Sequence, residues 1–324
     1  MLYPLLFHPI YKEMVWGGRR MAAHFGRKLP FDHTGESWDV SCRPNEMSII
    51  ENGPLAGIPF DAAIAKDPAA FLGKRVCSTY KTNGFPLLIK IIDANDDLSV
   101  QVHPDDAYAA AHGLEGGKSE MWYVMEAPPG QSLIIGLTDD ATPKKLRQDP
   151  MSCLQRLPIK KGDIIDIPAG LVHAITKGVM IAEIQQNSDI TFRLYDYNRK
   201  GLDGKPRELH LEDGIAVSDF DNRYAKGTAS GPIINDHFAV IKYDMREKTN
   251  MEITETSDPE TFTIFTCVEG TCMISSTPTA AASDAFEVAL PCSRSVFIPA
   301  GLGSYNIKGS AIILKSFIPK KDTR

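Results

Sequence analysis

The sequence predicts an all-β protein, and three observations lead to this class. The 324-residue chain is divided into many short apolar segments bounded by Gly, Pro, Asn and Asp, as is typical of strands joined by turns. These segments do not alternate with helices of the kind that βαβ units require. Some of them, such as the stretch LSVQVH, carry polar side chains at every second position, which indicates strands with one functional face. We therefore expect a β-sandwich or β-barrel.

The strand segments run along the whole chain, and the helix signals between them are local. The segments are FPLLIKIID, LSVQVH, EMWYVM, SLIIGL, DIIDIP, VMIAEIQQ and ITFRLYDY, followed by FAVIKYDM, TFTIFTCVEG, SVFIPAG and SAIILKSFIP. PFDAAIAKDPAAFLG predicts two helices ended by Gly73, and PDDAYAAAHG predicts one ended by Gly113. TPKKLRQDPMSCLQRL predicts a helical insertion with proline at first positions, and LHLEDGIAV predicts a further short helix. The helices are thus insertions into a β framework.

Composition indicates an ordinary globular protein. Hydrophobic residues make up 43% of the chain, charged residues 23%, and the net charge is −6, so we expect no nucleic-acid partner. The N-terminus lacks the features of a signal peptide and no apolar run is long enough to span a membrane, so we expect a cytoplasmic protein without a membrane partner. The six cysteines show no Cys-x-x-Cys pair, so any metal must be held by nitrogen and oxygen.

An internal repeat suggests two related domains. GDIIDIPAGLVHAI in the first part resembles SRSVFIPAGLGSYNI in the second, and superposing their prolines places Ser304 where the first copy has His173. NRYAKGTASGPIIND, which is rich in small and polar residues, is the best linker candidate. We therefore expect a catalytic domain with N-terminal strands and helical insertions over residues 1–230, and a degenerate β-barrel over residues 231–324.

Candidate metal ligands lie on separate strand segments. Gln101 and His103 are two positions apart and share a strand face, and Glu120 begins the segment EMWYV. The segment 162–173 combines a glycine, a Pro-Ala-Gly turn and then His173. It resembles the second sequence motif of the cupin barrel, in which the residue after the turn enters the next strand and points into the barrel interior. Two nitrogens and two oxygens suit zinc or another divalent first-row metal, and the absence of thiolates favours an open, catalytic position.

These motifs, in this order, resemble the type I mannose-6-phosphate isomerase (phosphomannose isomerase) family, in its short bacterial class. The resemblance is carried by VWGG, GESWDVS, PLLIKIIDA, LSVQVHPDD, GKSEMWYV, IPAGLVHAI and EIQQNSDITFRLYDYNR. It implies a cupin jelly-roll β-barrel with helical insertions and a second, degenerate cupin-like domain. It also implies one zinc ion per chain, held by Gln101, His103, Glu120 and His173.

The resemblance further implies an aldose–ketose isomerase that interconverts mannose 6-phosphate and fructose 6-phosphate. Moving a carbonyl between C1 and C2 requires removal of a proton beside it and return of that proton to the neighbouring carbon, through a cis-enediolate. A dication stabilises the developing oxyanion and a nearby base carries the proton, so no redox cofactor is needed. The expected partner is a sugar phosphate, bound by a monomer or a homodimer.

Polar residues near the ligands are candidates for proton transfer. Arg193 matches the family's active-site arginine, and its guanidinium can hold phosphate or an enediolate oxygen. Lys118 and Glu183 are candidate bases. We favour Lys118, because it lies two residues from Glu120 and a nearby dication disfavours a second positive charge. The polar residues of EIQQNSDITFR alternate from Glu183 to Arg193 and would all face one side if the strand stays regular.

Two further polar residues are weaker candidates for substrate contacts, and two Trp-Gly motifs are expected to be structural. Lys90 and Ser99 join Lys118 and Arg193 as candidate substrate contacts, by their position relative to the family. VWGG and GESW are expected to form a close-packed strand edge with Trp16 and Trp38 in the core.

Two other functions stay open at this point. A metal-dependent cupin dioxygenase would use the same barrel, but such enzymes usually have two histidines where this chain has Gln101 and His103. A non-catalytic regulatory cupin would bind a sugar phosphate without isomerising it. Oxygen consumption would identify the first, and binding without turnover would identify the second.

Overall fold

A computed structural model of the chain describes residues 2–221, 227–247, 251–277 and 285–320. Within these ranges the α-helices are α1 (Arg20–Phe25), α2 (Phe60–Ile64), α3 (Pro68–Leu72), α4 (Lys74–Asn83), α5 (Asp106–Ala111), α6 (Pro143–Gln148) and α7 (Leu211–Val217), with 3-10 turns at Gly53–Leu55 and Pro150–Cys153. The strands are β1 (Leu5–His8), β2 (Ile10–Gly18), β3 (Thr34–Val40), β4 (Cys42–Arg43), β5 (Glu46–Met47), β6 (Ile49–Ile50), β7 (Leu87–Asp93), β8 (Val100–Val102), β9 (Glu120–Glu126), β10 (Ser132–Leu137), β11 (Leu154–Pro158), β12 (Ile164–Ile167), β13 (His173–Ala174), β14 (Met180–Gln186), β15 (Phe192–Tyr195), β16 (Ile233–Ile234), β17 (Ala239–Asp244), β18 (Met251–Thr256), β19 (Thr263–Ser276), β20 (Glu287–Pro291), β21 (Ser295–Ile298) and β22 (Ser304–Phe317). Strands dominate, which confirms the predicted all-β class.

The unit formed by residues 11–37 and 90–230 contains a barrel made from two sheets. One sheet has the strand order β11-β10-β13-β8-β15, and the other has the order β12-β9-β14-β7-β3-β2. Trp122 and Ile167 of the six-stranded sheet belong to the same buried cluster as Leu133 and Ile135 of the five-stranded sheet. The two sheets therefore share one apolar interior, as expected for a jelly-roll barrel.

A second buried cluster covers the outer face of the five-stranded sheet. Val100 and Val102 of β8 and Phe192 of β15 pack there with Leu146 of α6 and Ile215 of α7. Side chains alternate along a strand, so the residues between these apolar positions point into the barrel. Gln101 and Arg193 are therefore interior residues, and the helical insertions keep water from the opposite face.

The second unit consists of residues 1–10, 38–89 and 231–324. Its nine-stranded sheet has the order β16-β17-β22-β19-β21-β1-β6, with β18 on β22 and β20 on β19. The expected boundary between residues 230 and 231 coincides with a boundary of this unit, but residues 1–10 and 38–89 group with the C-terminal part of the chain. The division into a catalytic and a degenerate barrel stays a prediction. Of the linker candidate, residues 222–226 lie outside the described part of the chain.

The repeated IPAGL motif forms the same turn in both units. Leu171 N donates to Pro168 O at 3.1 Å, and Leu302 N donates to Pro299 O at 3.1 Å. In each copy a strand begins shortly after the turn, at His173 in β13 and at Ser304 in β22. His173, in the first copy, is buried, whereas Ser304 is exposed and shares a 2.9 Å hydrogen bond with Thr256.

The segments predicted to be helical form α2, α3, α5, α6 and α7. The prediction is wrong at the end of TPKKLRQDPMSCLQRL, where Leu154–Pro158 forms strand β11. The helices α1 and α4 were not predicted from the sequence. The expectation of one regular strand through EIQQNSDITFR is wrong, because β14 ends at Gln186 and β15 begins only at Phe192. Residues 187–191 form the connection between the two sheets of the barrel.

Candidate active site

Three side chains from different strands converge on one point in the barrel interior. His103 follows β8, Glu120 begins β9 and His173 begins β13. One ligand atom from each lies within 4.8 Å of the others, and all three residues are buried. His103 Nε2 and His173 Nε2 each lie 3.5 Å from an oxygen of Glu120. The turn at residues 168–170 and the barrel closure thus bring together residues that are distant in the sequence.

Backbone carbonyls fix the orientation of both imidazoles. The Nδ1 atom of His103 lies 2.8 Å from Ile190 O, and that of His173 lies 2.8 Å from Leu171 O. A carbonyl oxygen can only accept, so each Nδ1 carries the proton and donates. Each Nε2 then keeps its lone pair and faces the centre of the group, which is the arrangement that metal-binding histidines adopt.

The donor atoms at the centre fit a divalent cation. His103 Nε2 and Glu120 Oε1 are buried and have no hydrogen-bond partner among the described residues. Buried polar atoms of this kind are costly unless they are satisfied. Two imidazole nitrogens and a carboxylate are a ligand set that zinc and related first-row ions accept.

Electrostatics keep the three ligand side chains in their metal-binding protonation states. Burial, followed by the charge of Lys118, lowers the pKa of His103 to about 3, and burial also lowers the pKa of His173. Burial opposes ionisation of Glu120, but the ammonium of Lys118, at 3.0 Å from Oε2, helps to hold the pKa of Glu120 well below its ordinary value. At neutral pH both imidazoles are therefore neutral and the carboxylate is ionised.

Gln101 approaches the group through its amide. Its Nε2 lies 3.3 Å from His173 Nε2, and its Oε1 accepts from Ser99 Oγ at 3.3 Å. A half-turn of the amide would direct the oxygen to the centre and the NH₂ group to the serine hydroxyl, which can also accept. Gln101 is therefore near enough to serve as a fourth ligand, and this role stays a prediction.

A cavity of about 350 Å³ lies against this group, within the usual range for small-molecule sites. Gln101, which approaches His173, and Lys118, which contacts Glu120, both line it. Every other predicted catalytic or substrate-binding residue also lines it, namely Lys90, Ser99, Glu183 and Arg193. Of the alternating polar residues between 183 and 193, Gln185 and Asn187 do not line this cavity. Asn187 lies beyond the end of β14, and the amide of Gln185, within β14, donates to Gln186 O and Ser188 O.

Lys90 and Glu183 form a buried ion pair in the cavity wall. Lys90 Nζ lies 3.5 Å from Glu183 Oε1 and 3.3 Å from Glu36 Oε2. Burial opposes the ammonium charge, but these carboxylates raise the pKa of Lys90 above its ordinary value. Glu183 also accepts from Trp122 Nε1 at 3.0 Å. Burial, and then the charge of Glu120, raise the pKa of Glu183 to about 7, so it can exchange a proton near neutral pH.

Two charged residues of the cavity were not predicted from the sequence. Glu36 lies in β3 beside Lys90, and Arg207 lies in the loop after β15. Glu36 belongs to the GESW motif and shares a strand face with Trp38, which was predicted to be buried, so its position was a usable signal. Arg207 stands in a loop without periodicity, and nothing in its spacing indicated a site. Trp16 and Trp38 are buried in the core as predicted, and Trp16 also lines the cavity.

Comparisons with known proteins point to one enzyme family. A family profile described as phosphomannose isomerase type I, catalytic domain, matches residues 5–128. The chain is 43% identical to the mannose-6-phosphate isomerase of Streptococcus mutans over 222 residues, which cover 67% of this chain and 68% of that protein. It is 33% identical to the mannose-6-phosphate isomerase ManA of Bacillus subtilis, over 97% of this chain and 99% of that protein.

Solved structures share the fold along the chain. The crystal structure of the mannose 6-phosphate isomerase from Bacillus subtilis superposes with a TM-score of 0.83 at 28% identity, covering 97% of this chain and 99% of that one. A mannosephosphate isomerase homologue from Archaeoglobus fulgidus, at 19% identity, shares the fold with a TM-score of 0.77. Both the sequence matches and the fold are those of one enzyme family. The chain therefore belongs to the type I phosphomannose isomerases.

Proposed function

We propose that this isomerase interconverts mannose 6-phosphate and fructose 6-phosphate through a cis-enediolate, with one zinc ion held by His103, Glu120 and His173. The observation that carries the proposal is the neutral, oriented pair of imidazoles around an ionised carboxylate, directly behind a cavity that bears amines, carboxylates and guanidiniums. The names of the curated relatives support the substrate pair.

The cavity residues divide the chemistry among themselves. A bound dication would supply Lewis acidity, polarising the sugar carbonyl and stabilising the oxyanion that develops beside it. A base removes the proton from C2 of the aldose and returns it to C1, while the hydroxyl proton passes from O2 to O1, which gives the ketose. Lys118 and Glu183 are the proposed proton carriers, because both line the cavity and both have partners that influence their charge.

The remaining polar groups bind the substrate. Lys90 and Ser99 are proposed to contact sugar oxygens, and Arg193 to contact the phosphate or an enediolate oxygen. Apolar wall residues such as Trp16, Ile92 and Trp122 limit the water in the cavity, which strengthens these charge interactions.

A coupled isomerase assay on metal-stripped protein tests the proposal, with zinc, cobalt, manganese and iron added back separately. We expect no activity without metal and the highest activity with zinc. Activity restored better by another ion would contradict the zinc assignment but keep the isomerase.

Two outcomes would replace the function itself. Oxygen consumption without isomerisation would identify a cupin dioxygenase, and sugar phosphate binding without turnover would identify a regulatory protein. Product formation from mannose 6-phosphate, in proportion to metal content, rejects both alternatives.

A further inference from the structure

Two guanidinium groups meet at the edge of the active-site cavity. Arg193 and Arg207 both line the 350 Å³ cavity, and both also line a neighbouring cleft of about 470 Å³. Arg193 comes from β15, and Arg207 comes from the loop that follows it. The proposed function uses Arg193 but assigns no role to Arg207.

Arg193 is held so that part of its guanidinium can still bind a ligand. Its Nη1 donates to Glu208 O at 2.8 Å, and its buried Nε has no hydrogen-bond partner among the described residues. Burial, followed by the positive charge of Arg207, lowers the pKa of Arg193. The two like charges are therefore close enough to repel each other, and an anion between them would relieve that repulsion.

Asp196 fixes the guanidinium of Arg207. Arg207 donates from Nε and Nη2 to the two oxygens of Asp196, at 2.6 and 2.5 Å. Arg199 donates to the same carboxylate at 2.7 Å, and Asp196 is 4% exposed. Two guanidiniums thus bind one buried carboxylate. The acids of the neighbouring cleft, Glu13, Asp203 and Glu208, are exposed, where water screens their charge, so they offset the two guanidiniums only in part.

The position of the arginine pair suits the far end of a substrate. His173 pairs with Gln101, and Gln101 pairs with Arg193 on the next strand. Arg193 therefore lies two strands from the metal-site histidine, a separation of about 10 Å between backbones. An extended sugar phosphate with C1 and C2 at the metal site would direct its phosphate away from that site, toward the arginines.

We propose that Arg207, together with Arg193, binds the phosphate of the substrate and determines the preference for phosphorylated over unphosphorylated sugar. This inference rests on the proposed isomerase function. Two planar guanidiniums can each give two hydrogen bonds to a dianion. Asp196 keeps the fork of Arg207 in one orientation, so little side-chain freedom is lost on binding.

The test compares Arg207→Gln with a matched control, Arg199→Gln. Both variants remove one guanidinium from Asp196, but Arg199 lines neither cavity. For Arg207→Gln we expect kcat/KM for mannose 6-phosphate to fall roughly tenfold to a hundredfold, as for loss of charge-assisted hydrogen bonds. The rate with unphosphorylated mannose should change less than about twofold, and the control should keep the wild-type preference. The kcat/KM of Arg207→Lys for mannose 6-phosphate should lie between the values for the wild type and Arg207→Gln. Lysine keeps the positive charge but cannot give the two parallel hydrogen bonds of a guanidinium.

A binding measurement separates this inference from the function on which it rests. Calorimetric titration with inorganic phosphate needs no turnover, and we expect the wild type and Arg199→Gln to bind it and Arg207→Gln to bind more weakly by a similar factor. Equal losses in both glutamine variants, equal loss with both sugars, or no phosphate binding by the wild type would overturn the role of Arg207. Phosphate binding without isomerase activity would instead contradict only the proposed function.

Discussion

Individual residues in the metal site are set for binding by their surroundings. Ile190 O and Leu171 O direct the Nε2 atoms of His103 and His173 to the centre. Burial disfavours protonation of both rings. A protonated imidazole cannot bind a metal, so an ordinary histidine site weakens as the pH falls through about 6.5. This site should remain competent well below that pH.

Metal affinity should therefore change little between pH 7.5 and pH 6. Two histidines of ordinary pKa would together weaken binding roughly tenfold across this interval. Because the pKa of His103 is lowered to about 3 and that of His173 is also lowered, we expect a change of less than about threefold. Competition with a chromophoric chelator, corrected for its own protonation, measures the affinity. A tenfold loss at pH 6 would show that the imidazoles titrate normally.

Solvent exchange distinguishes the two proposed proton carriers. A proton that visits Lys118 or Glu183 can exchange with water, so turnover in heavy water should leave deuterium in the product. We expect Lys118→Met to abolish both turnover and label while keeping the metal, and Glu183→Gln to be milder. Label entering at the wild-type rate in the Met variant would exclude Lys118. A wild-type product free of deuterium at early conversion would exclude both bases and favour a direct hydride shift.

The pH profile adds a second measurement at Glu183. Its pKa is raised to about 7, so the carboxyl is protonated below that pH and can act as a base only above it. A bound dication would lower this value, because it stabilises the ionised form. If Glu183 carries the proton, kcat/KM must fall on the acid side of a pKa at or below about 7, and this limb must disappear in Glu183→Gln.

Among the elements, strands β2 and β3 depend on glycines that allow close approach. A Cβ on Gly17 would lie 2.6 Å from His33 O, and one on Gly35 would lie 2.6 Å from the Cβ of Met14. Trp16, beside Gly17, lines the active-site cavity. This arrangement agrees with the expectation that VWGG and GESW form a close-packed edge, and it links that edge to the site.

Gly17→Ala should consequently destabilise the protein and disturb the cavity. Backbone atoms would have to move to admit the methyl group, which costs about 1–3 kcal/mol in overpacked cores. The matched control is Gly116→Ala, since a Cβ there meets no atom within 4 Å, and its effect should stay within about 0.5 kcal/mol. Denaturant unfolding of the two variants measures the difference. Equal stability would mean that the strands separate more easily than their packing suggests.

Local signals explain which elements were predictable. The predicted helices α3, α5 and α6 begin at side chains that cap them, Asp67, Asp105 and Thr142. The missed helices α1 and α4 begin without a side-chain cap. The predicted helices α2 and α7 also lack one, so capping accounts for only part of the difference. The regular strand expected through residues 183–193 failed for another reason. The chain passes there from one sheet to the other, and alternation of polar residues does not reveal such a crossing.

At the scale of the whole molecule, the metal site was more predictable than the substrate contacts. His103, Glu120 and His173 each stand beside a strand or turn motif, so their convergence followed from the barrel. Arg207 occupies a loop and donates to Asp196, and no periodic pattern encodes such a contact. In the described ranges no helix is long and apolar enough to cross a membrane.

Metal content should be one ion per chain. Within the described ranges, a single group of His, Cys, Asp and Glu side chains has the geometry to hold a metal, and the repeat has Ser304 at the position that corresponds to His173. Elemental analysis should give one ion for the wild type and for the control His112→Ala, an exposed residue. It should give none for His103→Ala or His173→Ala, with activity lost together with the metal. Two tightly bound ions, or full metal and activity in either ligand variant, would contradict the assignment.

The discontinuous course of the chain has a consequence for synthesis on the ribosome. Strand β1 pairs with β6 on one side and with β21 on the other, where Leu5 faces Phe297. A chain grows from its N-terminus, and domains begin to fold while it emerges. The segments 11–37 and 90–230, which supply all the metal ligands, are available long before β21 has been made. Until then one edge of β1 lacks its partner in the nascent chain, and an open strand edge invites pairing with other chains. The metal-binding unit can thus fold early, whereas β1 has to wait until β21 has been translated.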